Sequence, residues 1–283
     1  MANGFLLKPL PIAALTANGT TGGTEPGFDI QNVANDYAGV IWRSPHTDYC
    51  YVIADLGGDT PIDTLMIFGL WGNITYGSPY VQIALATQAQ GNGFSGSSVS
   101  TGTGAGNFYL DPTNYSPLVG PPVAGRGAFL WQRASNDPSP AAARYVLIAF
   151  HGLTLATDYI DIARLVIGKR FVPERNFNAQ SIGAKDLGSL DFSARGVLLR
   201  RRAKKLRTIS LTFSNLHKDE LVAAMRPLIE YMGNTEMIAA CTDPTADADR
   251  MNRCYFGPHV GDLGMAWRKA DCWETKLNLV SIF

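Results

Sequence analysis

Tyr80-Val-Gln-Ile-Ala-Leu-Ala-Thr87 is the stretch whose pattern decides the fold. Val81, Ile83 and Leu85 share one face, with Tyr80, Gln82 and Ala84 on the other. Such alternation marks a half-buried strand, because successive side chains of an extended backbone point to opposite sides. Upstream, residues 51–56 form a short apolar run stopped by Gly57-Gly58, and residues 62–70 form another after the turn residue Pro61. Downstream, residues 144–150 and 159–167 read as two more strands. Nothing in residues 1–168 keeps a 3.6-residue period over a useful length, so the pattern predicts an antiparallel sandwich or jelly roll.

Composition agrees. The 283 residues include 29 Gly and 16 Pro, and only 17% are charged, which favours short strands joined by turns over long helices. Net charge is zero, from 24 basic and 24 acidic residues, where a whole-protein nucleic-acid binder is usually basic. Residues 1–169 carry 7 basic and 11 acidic residues, and residues 170–283 carry 17 and 13. This dipolar split suits docking between subunits, and equally suits ordinary surface composition. No run of 18 apolar residues predicts a membrane span. Residues 1–10 lack a basic segment ahead of a long apolar one, so synthesis and assembly in a reducing cytoplasm are expected.

The expected fold class is therefore all-β, with an N-terminal jelly-roll β-sandwich followed by a smaller β-rich domain with one helix. Residues 1–30, rich in Gly and Thr, read as an N-terminal arm, and residues 31–168 as the sandwich. Within it, residues 88–107 read as a low-complexity surface loop and residues 111–127 as a second loop. Residues 169–178 read as a linker, where charge appears abruptly and Pro173 interrupts regular structure. Residues 179–283 form the second domain, with strands at 197–201, 207–213, 236–240, 254–256 and 273–282. Its helix spans 215–232. Asn215 is the expected cap, Leu221, Met225, Leu228 and Met232 the buried stripe, Pro227 the site of a kink or a break and Gly233 the stop.

Motifs for catalysis are missing. Gly91-Asn-Gly93-Phe-Ser-Gly96 has nucleotide-loop spacing but does not join a strand to a helix. The four histidines are isolated from one another, and acidic residues such as Asp55, Asp59 and Asp63, or Asp158 and Asp161, sit where turns and strand ends normally place them. No enzyme and no cofactor are expected. Cys241, Cys254 and Cys272 could share a zinc ion or cluster if the fold gathers them, but their spacing matches no compact ligand motif, and buried free thiols are the plainer reading. The run Arg200-Arg201-Arg202-Ala-Lys204-Lys205-Leu-Arg207 reads either as a hairpin end in solvent or as a docking patch for an acidic partner or nucleic acid. Without interleaved aromatic residues it favours a subunit interface or exposed turn over specific nucleic-acid readout.

The order of several segments resembles discoidin-type, galactose-binding-like domains. The carriers are Ile41-Trp42-Arg43-Ser44, Tyr51-Val-Ile-Ala-Asp55-Leu56-Gly57, residues 62–67, Ala143-Arg144-Tyr145-Val146-Leu147-Ile148 and Tyr159-Ile-Asp-Ile-Ala-Arg-Leu-Val-Ile-Gly168. The resemblance implies an eight-stranded jelly roll whose loops at one end bind sugars or other surface ligands. It implies a core role for Trp42. Trp71, Tyr76, Tyr109 and Trp131, in or near loops, are candidates to stack on sugar rings or to serve as packing. It also implies a calcium ion near the first loop, with Asn32, Asn35 and Asp36 as the equivalent residues.

The C-terminal part resembles bacteriophage tail-tip proteins of the distal-tail type. The carriers are Val172-Pro-Glu-Arg-Asn-Phe177, the strand 206–213, the helix opening Lys218-Asp-Glu220, Gly233-Asn234, the segment 238–244, Phe256-Gly257 and the closing Trp273-Glu-Thr-Lys-Leu-Asn-Leu279. That resemblance implies a virion location and a homo-oligomeric ring in a tail tip or baseplate. Its partners would be tube, hub and fibre proteins, with a host glycan as a further ligand. The alternative is a carbohydrate-binding adhesin or accessory module without catalysis.

Overall fold

The structure, a computed structural model, describes residues 3–19, 25–44, 49–72, 80–92, 94–95, 98–99, 103–109, 115–117, 127–133, 141–151, 159–247 and 249–283. The protein is all-β with one helical segment longer than a turn or two among the described residues. No helix there is long and apolar enough to cross a membrane. The chain divides into two units: residues 7–170 with 244–254, and residues 1–6 with 171–243 and 255–283.

The first unit is a sandwich. One sheet orders its strands Ala14–Gly19, Tyr49–Ile62, Ala141–His151, Tyr80–Ala86 and Thr103–Tyr109, every neighbour antiparallel. The facing sheet runs Tyr115–Pro117, Gly127–Gln132, Thr64–Gly72, Ile160–Ile162 and Trp42–Arg43, with Arg164–Gly168 also on Thr64–Gly72. One apolar cluster fills the space between them. Val81, Ile83, Leu85, Val146, Ile148 and Phe150 come from the first sheet, and Leu65, Ile67, Phe129, Ile162 and Leu165 from the second. The alternation read at residues 80–87 is what aims Val81, Ile83 and Leu85 inward. The opposite face is drier than expected: Ala84 and Ala86 are buried with Ile53, Leu147 and Phe94 in a second, smaller cluster.

Three expectations need correction here. Residues 1–30 are not an arm. Phe5–Leu7 is a buried strand between Arg170–Phe171 and Met237–Cys241, and Ala14–Gly19 pairs with Tyr49–Ile62. Gly4 shows how tight the first strand's surroundings are, since a Cβ there would lie 2.8 Å from the Phe177 ring and 2.8 Å from the Thr242 carbonyl. The Gly/Thr-rich composition of 17–24 masked two short strand sequences. Second, residues 88–107 are not all loop: Thr103–Tyr109 pairs with Tyr80–Ala86, and small residues are tolerated because the partner strand supplies the hydrogen bonds. Third, the span 169–178 contains the strand Arg170–Phe171, and 244–254 clusters with the sandwich unit, where the buried Arg250 donates from Nη2 to the Leu130 carbonyl at 2.7 Å.

The second unit has a sheet ordered Ala179–Asp186, Lys205–Leu216, Cys272–Ser281 and Met265–Lys269. Ile209, Leu211, Phe213, Leu277 and Leu279 line one face of it and pack with Leu6, Ile238 and Tyr255. Leu221, Met225, Leu228 and Met232 cover this core as the stripe predicts. The helical segment begins at Lys218, with His217 as its cap residue in place of Asn215, and ends at Gly233, whose φ of 45° favours glycine. Residues Leu221–Met225 form a π turn in which the Arg226 N–H reaches the Leu221 carbonyl. Pro227 follows directly. The extra residue in that turn makes room for a ring that has no N–H to give, so the helix widens where a break was expected.

Candidate functional site

The strand Trp42–Arg43 turns Trp42 into the core, fully buried, and therefore turns Arg43 outward. Arg43 lies opposite Asp161, and Asp161 lies opposite Trp71, so three adjacent strands carry Arg43, Asp161 and Trp71 in one cross-strand row. Arg43 donates to Asp161 from Nε at 2.7 Å and Nη2 at 2.9 Å, a fork-on-carboxylate pair. Those bonds push the already basic guanidinium further up, against the opposing pull of burial. The plane of Arg43 lies 3.9 Å from the Tyr159 ring centroid and 4.6 Å from that of Phe28. The Tyr159 ring in turn meets Trp71 at 5.4 Å, tilted by 46°. Phe28, Arg43, Trp71 and Tyr159 are all half-buried. The result is a fixed patch of aromatic faces and one pinned cation on the outer face of this sheet.

The other sheet carries a smaller counterpart. Tyr80 pairs with His151 on one side and Tyr109 on the other, and the Tyr80 and His151 rings stack at 4.6 Å, 10° from parallel. His151 Nε2 lies 3.3 Å from Gln82 Oε1, and burial pushes its imidazole pKa down, which keeps it neutral near pH 7.

Trp71 thus belongs to a patch that faces outward. Tyr76 and the side chain of Tyr109 fall outside the described residues. Trp131 cannot stack on a sugar in this fold. It is 3% exposed, in the sandwich core, because Gly127–Gln132 alternates and sends Phe129 and Trp131 to the same inward face. Arg43 and Tyr159 were in the quoted segments, but nothing local says that residues 43, 71, 159 and 161 meet. Only strand pairing brings them together.

The basic run does not form one patch. Arg200 and Arg201 end the exposed strand Leu198–Arg201, facing Leu190 and Ser189 across the ladder, and so point to opposite sides. Arg202 is exposed beyond them. Lys204 donates to the Ile282 carbonyl at 3.3 Å, Lys205 lies 3.9 Å from Asp186, and Arg207 sits 4.4 Å over the Tyr255 ring. Of the acidic residues considered as candidates, Asp158 lies outside the described residues and the others have structural partners. Asp55 binds Arg144, Asp161 binds Arg43, Asp63 accepts from the Arg170 N–H and Asp59 from the Gln88 N–H.

Cys241, Cys254 and Cys272 are each buried as thiols, not as disulfides. Cys254 Sγ lies 3.5 Å from the Arg250 carbonyl, and Cys272 Sγ 3.6 Å from Asn215 Oδ1. Among the described residues no three His, Cys, Asp or Glu groups gather to hold a metal. The calcium equivalents do not fit either. Asn32 Nδ2 donates to the Ile41 carbonyl at 2.8 Å, and Asn35 Oδ1 accepts from the Tyr37 N–H at 2.8 Å. Asp36 Oδ1 faces the Arg164 guanidinium, with Nη2 at 3.1 Å.

No family model matches the chain, and no curated protein matches it. Solved structures do. The CBM32 of AlyQ in complex with 4,5-unsaturated mannuronic acid is 16% identical, covering 57% of this chain and 96% of that one, with a TM-score of 0.36. Chitosan-binding module 1 from a Paenibacillus sp. chitosanase/glucanase is 14% identical, covering 56% and 98%, with a TM-score of 0.37. The lectin domain of lectinolysin complexed with Lewis B antigen is 11% identical, covering 57% and 96%, with a TM-score of 0.36. Scores of this size set no constraint on what this chain binds.

Proposed function

We propose that the sandwich unit is a non-catalytic carbohydrate-binding module whose ligand lies on Trp71 and Tyr159 beside Arg43. The observation that carries this is the cross-strand row Arg43–Asp161–Trp71 with Tyr159 packed between its ends. Flat rings held in place offer their faces to the C–H side of a sugar, and a pinned guanidinium offers donors to its hydroxyls. Asp161 already occupies Arg43 from two nitrogens, so the patch suits a neutral polyol better than a strong anion. A glycan array that includes chitosan oligomers, uronic acids and Lewis antigens identifies the ligand. Trp71→Ala and Tyr159→Ala then each weaken binding by about tenfold, the scale of one aromatic contact, while Tm holds. Saturable binding left intact in both variants would end this reading.

A second reading has its own observation. Ser189–Phe192 and Leu198–Arg201 form a hairpin exposed on every residue, with Leu190, Phe192 and Leu198 between 50% and 63% exposed. Leu190 pairs with Arg200 and Phe192 with Leu198, so these apolar side chains share one face. Residues 179–205 hold seven basic and two acidic residues, a net of +5 in a chain whose total is zero, which leaves −5 elsewhere. An apolar face on a basic hairpin matches the acidic remainder of a second copy. This supports self-association of the chain, which a ring-forming subunit of a phage tail tip or baseplate in a virion would require.

A further inference from the structure

We propose that Arg164 is a tethered cation that holds the first loop to the sandwich in place of a divalent metal ion, whatever ligand the module binds. The short 3₁₀ turn Ile30–Ala34 is followed two residues later by Asp36. A backbone carbonyl from the end of that turn and a carboxylate from just beyond it therefore converge. Both are oxygen ligands of the kind a hard divalent ion collects. Arg164 meets them instead, with Nη1 3.4 Å from the Val33 carbonyl and Nη2 3.1 Å from Asp36 Oδ1. The Arg164 side chain is 9% exposed and leaves the strand Arg164–Gly168, which is laddered to Thr64–Gly72, so the charge arrives from a rigid element. Val33, in the same turn, is fully buried in the sandwich core. The contact thus fixes the end of the turn twice, by packing at Val33 and by charge at Asp36. Of the neighbouring amides, Asn32 donates from Nδ2 to the Ile41 carbonyl and Asn35 Oδ1 accepts from the Tyr37 N–H. A cation on a side chain cannot be removed by a chelator, and it repels a second cation from the same oxygens.

Calorimetric titration of the wild-type protein with calcium chloride reads this directly. No heat beyond dilution, and the same Tm in millimolar calcium and in EDTA, are expected. Arg164→Met leaves Asp36 without its counter-charge and lowers Tm by about 5–10 °C in either solution. Arg164→Glu adds a carboxylate opposite Asp36. It melts early in EDTA and regains part of the loss in calcium. Saturable calcium uptake by the wild type overturns the proposal, as does an Arg164→Met variant that melts with the wild type. An Arg164→Glu variant indifferent to calcium overturns the claim that the guanidinium stands where a divalent ion would. If neither variant folds, the wild-type titration still decides.

Discussion

Asp55 and Arg144 show how one residue's chemistry is set by its strand. The ladder between Tyr49–Ile62 and Ala141–His151 slips between Ala143 and Tyr145, and Arg144 is the residue at the slip. Its guanidinium reaches Asp55 from Nε at 2.8 Å and Nη2 at 2.9 Å. Those hydrogen bonds hold the Asp55 carboxyl below its usual range, against a weaker upward push from burial. A carboxyl whose folded pKa is depressed stabilises the fold above its ordinary pKa, and that contribution fades as pH falls through the folded value. Asp55→Asn therefore lowers Tm by about 2–4 °C at neutral pH, and the gap to wild type closes as pH drops below the carboxylate range. An equal gap at both ends of a thermal-melt series would mean that shape, and not charge, is what the pair supplies. At this scale the sequence was partly readable. Trp42 in and Val81, Ile83 and Leu85 in follow from alternation alone. Trp131 stayed open between packing and sugar stacking because the Gly- and Pro-rich segments on either side of it look like loop, while the short run between them is core strand and makes it packing. The partnership of Arg43 with Asp161, 118 positions apart, leaves no local trace.

Among elements, long periodic ones were legible and short or solvent-covered ones were not. The strand at 207–213 and the Leu221, Met225, Leu228, Met232 stripe stood out because each repeats a period several times. Phe5–Leu7 has three residues, too few for any period to declare itself. Ala179–Asp186 is exposed along its whole length, so its side chains carry no inward signal, and only its ladder to Lys205–Leu216 makes it a strand. The hairpin beyond it is the converse case. Its apolar residues suggest core, yet they stand in solvent. If a second copy covers them, replacing Leu190, Phe192 and Leu198 together with Ser converts an oligomer to a monomer at micromolar concentration without lowering Tm. Light scattering coupled to size exclusion reads this, and a wild-type monomer at that concentration removes the case for a ring.

For the whole molecule, the beginning of the chain is a structural member of the unit that contains its end. Phe5–Leu7 lies between Arg170–Phe171 and Met237–Cys241, Asn3 Nδ2 donates to the Pro173 carbonyl at 2.9 Å, and the Gly4 N–H to Asn176 Oδ1 at 3.1 Å. Deleting residues 1–7 exposes two strand edges and removes Leu6 from the core around Ile238 and Tyr255. Loss of a buried Leu alone costs about 2–5 kcal/mol, so the truncated chain should show a separate, earlier unfolding step by calorimetry. A single transition at the wild-type temperature would contradict this. The same arrangement has a consequence for birth at the ribosome. The strand Phe5–Leu7 leaves the exit tunnel long before residue 237 is translated, so it must wait, unpaired and apolar, through the synthesis of the whole stretch between them. The sandwich strands can zip up during that interval, whereas the other unit can close only once residues 237–241 and the strands after them have emerged. A chaperone that shields Phe5-Leu6-Leu7 during the delay would raise the yield of native protein more than one acting on any later segment.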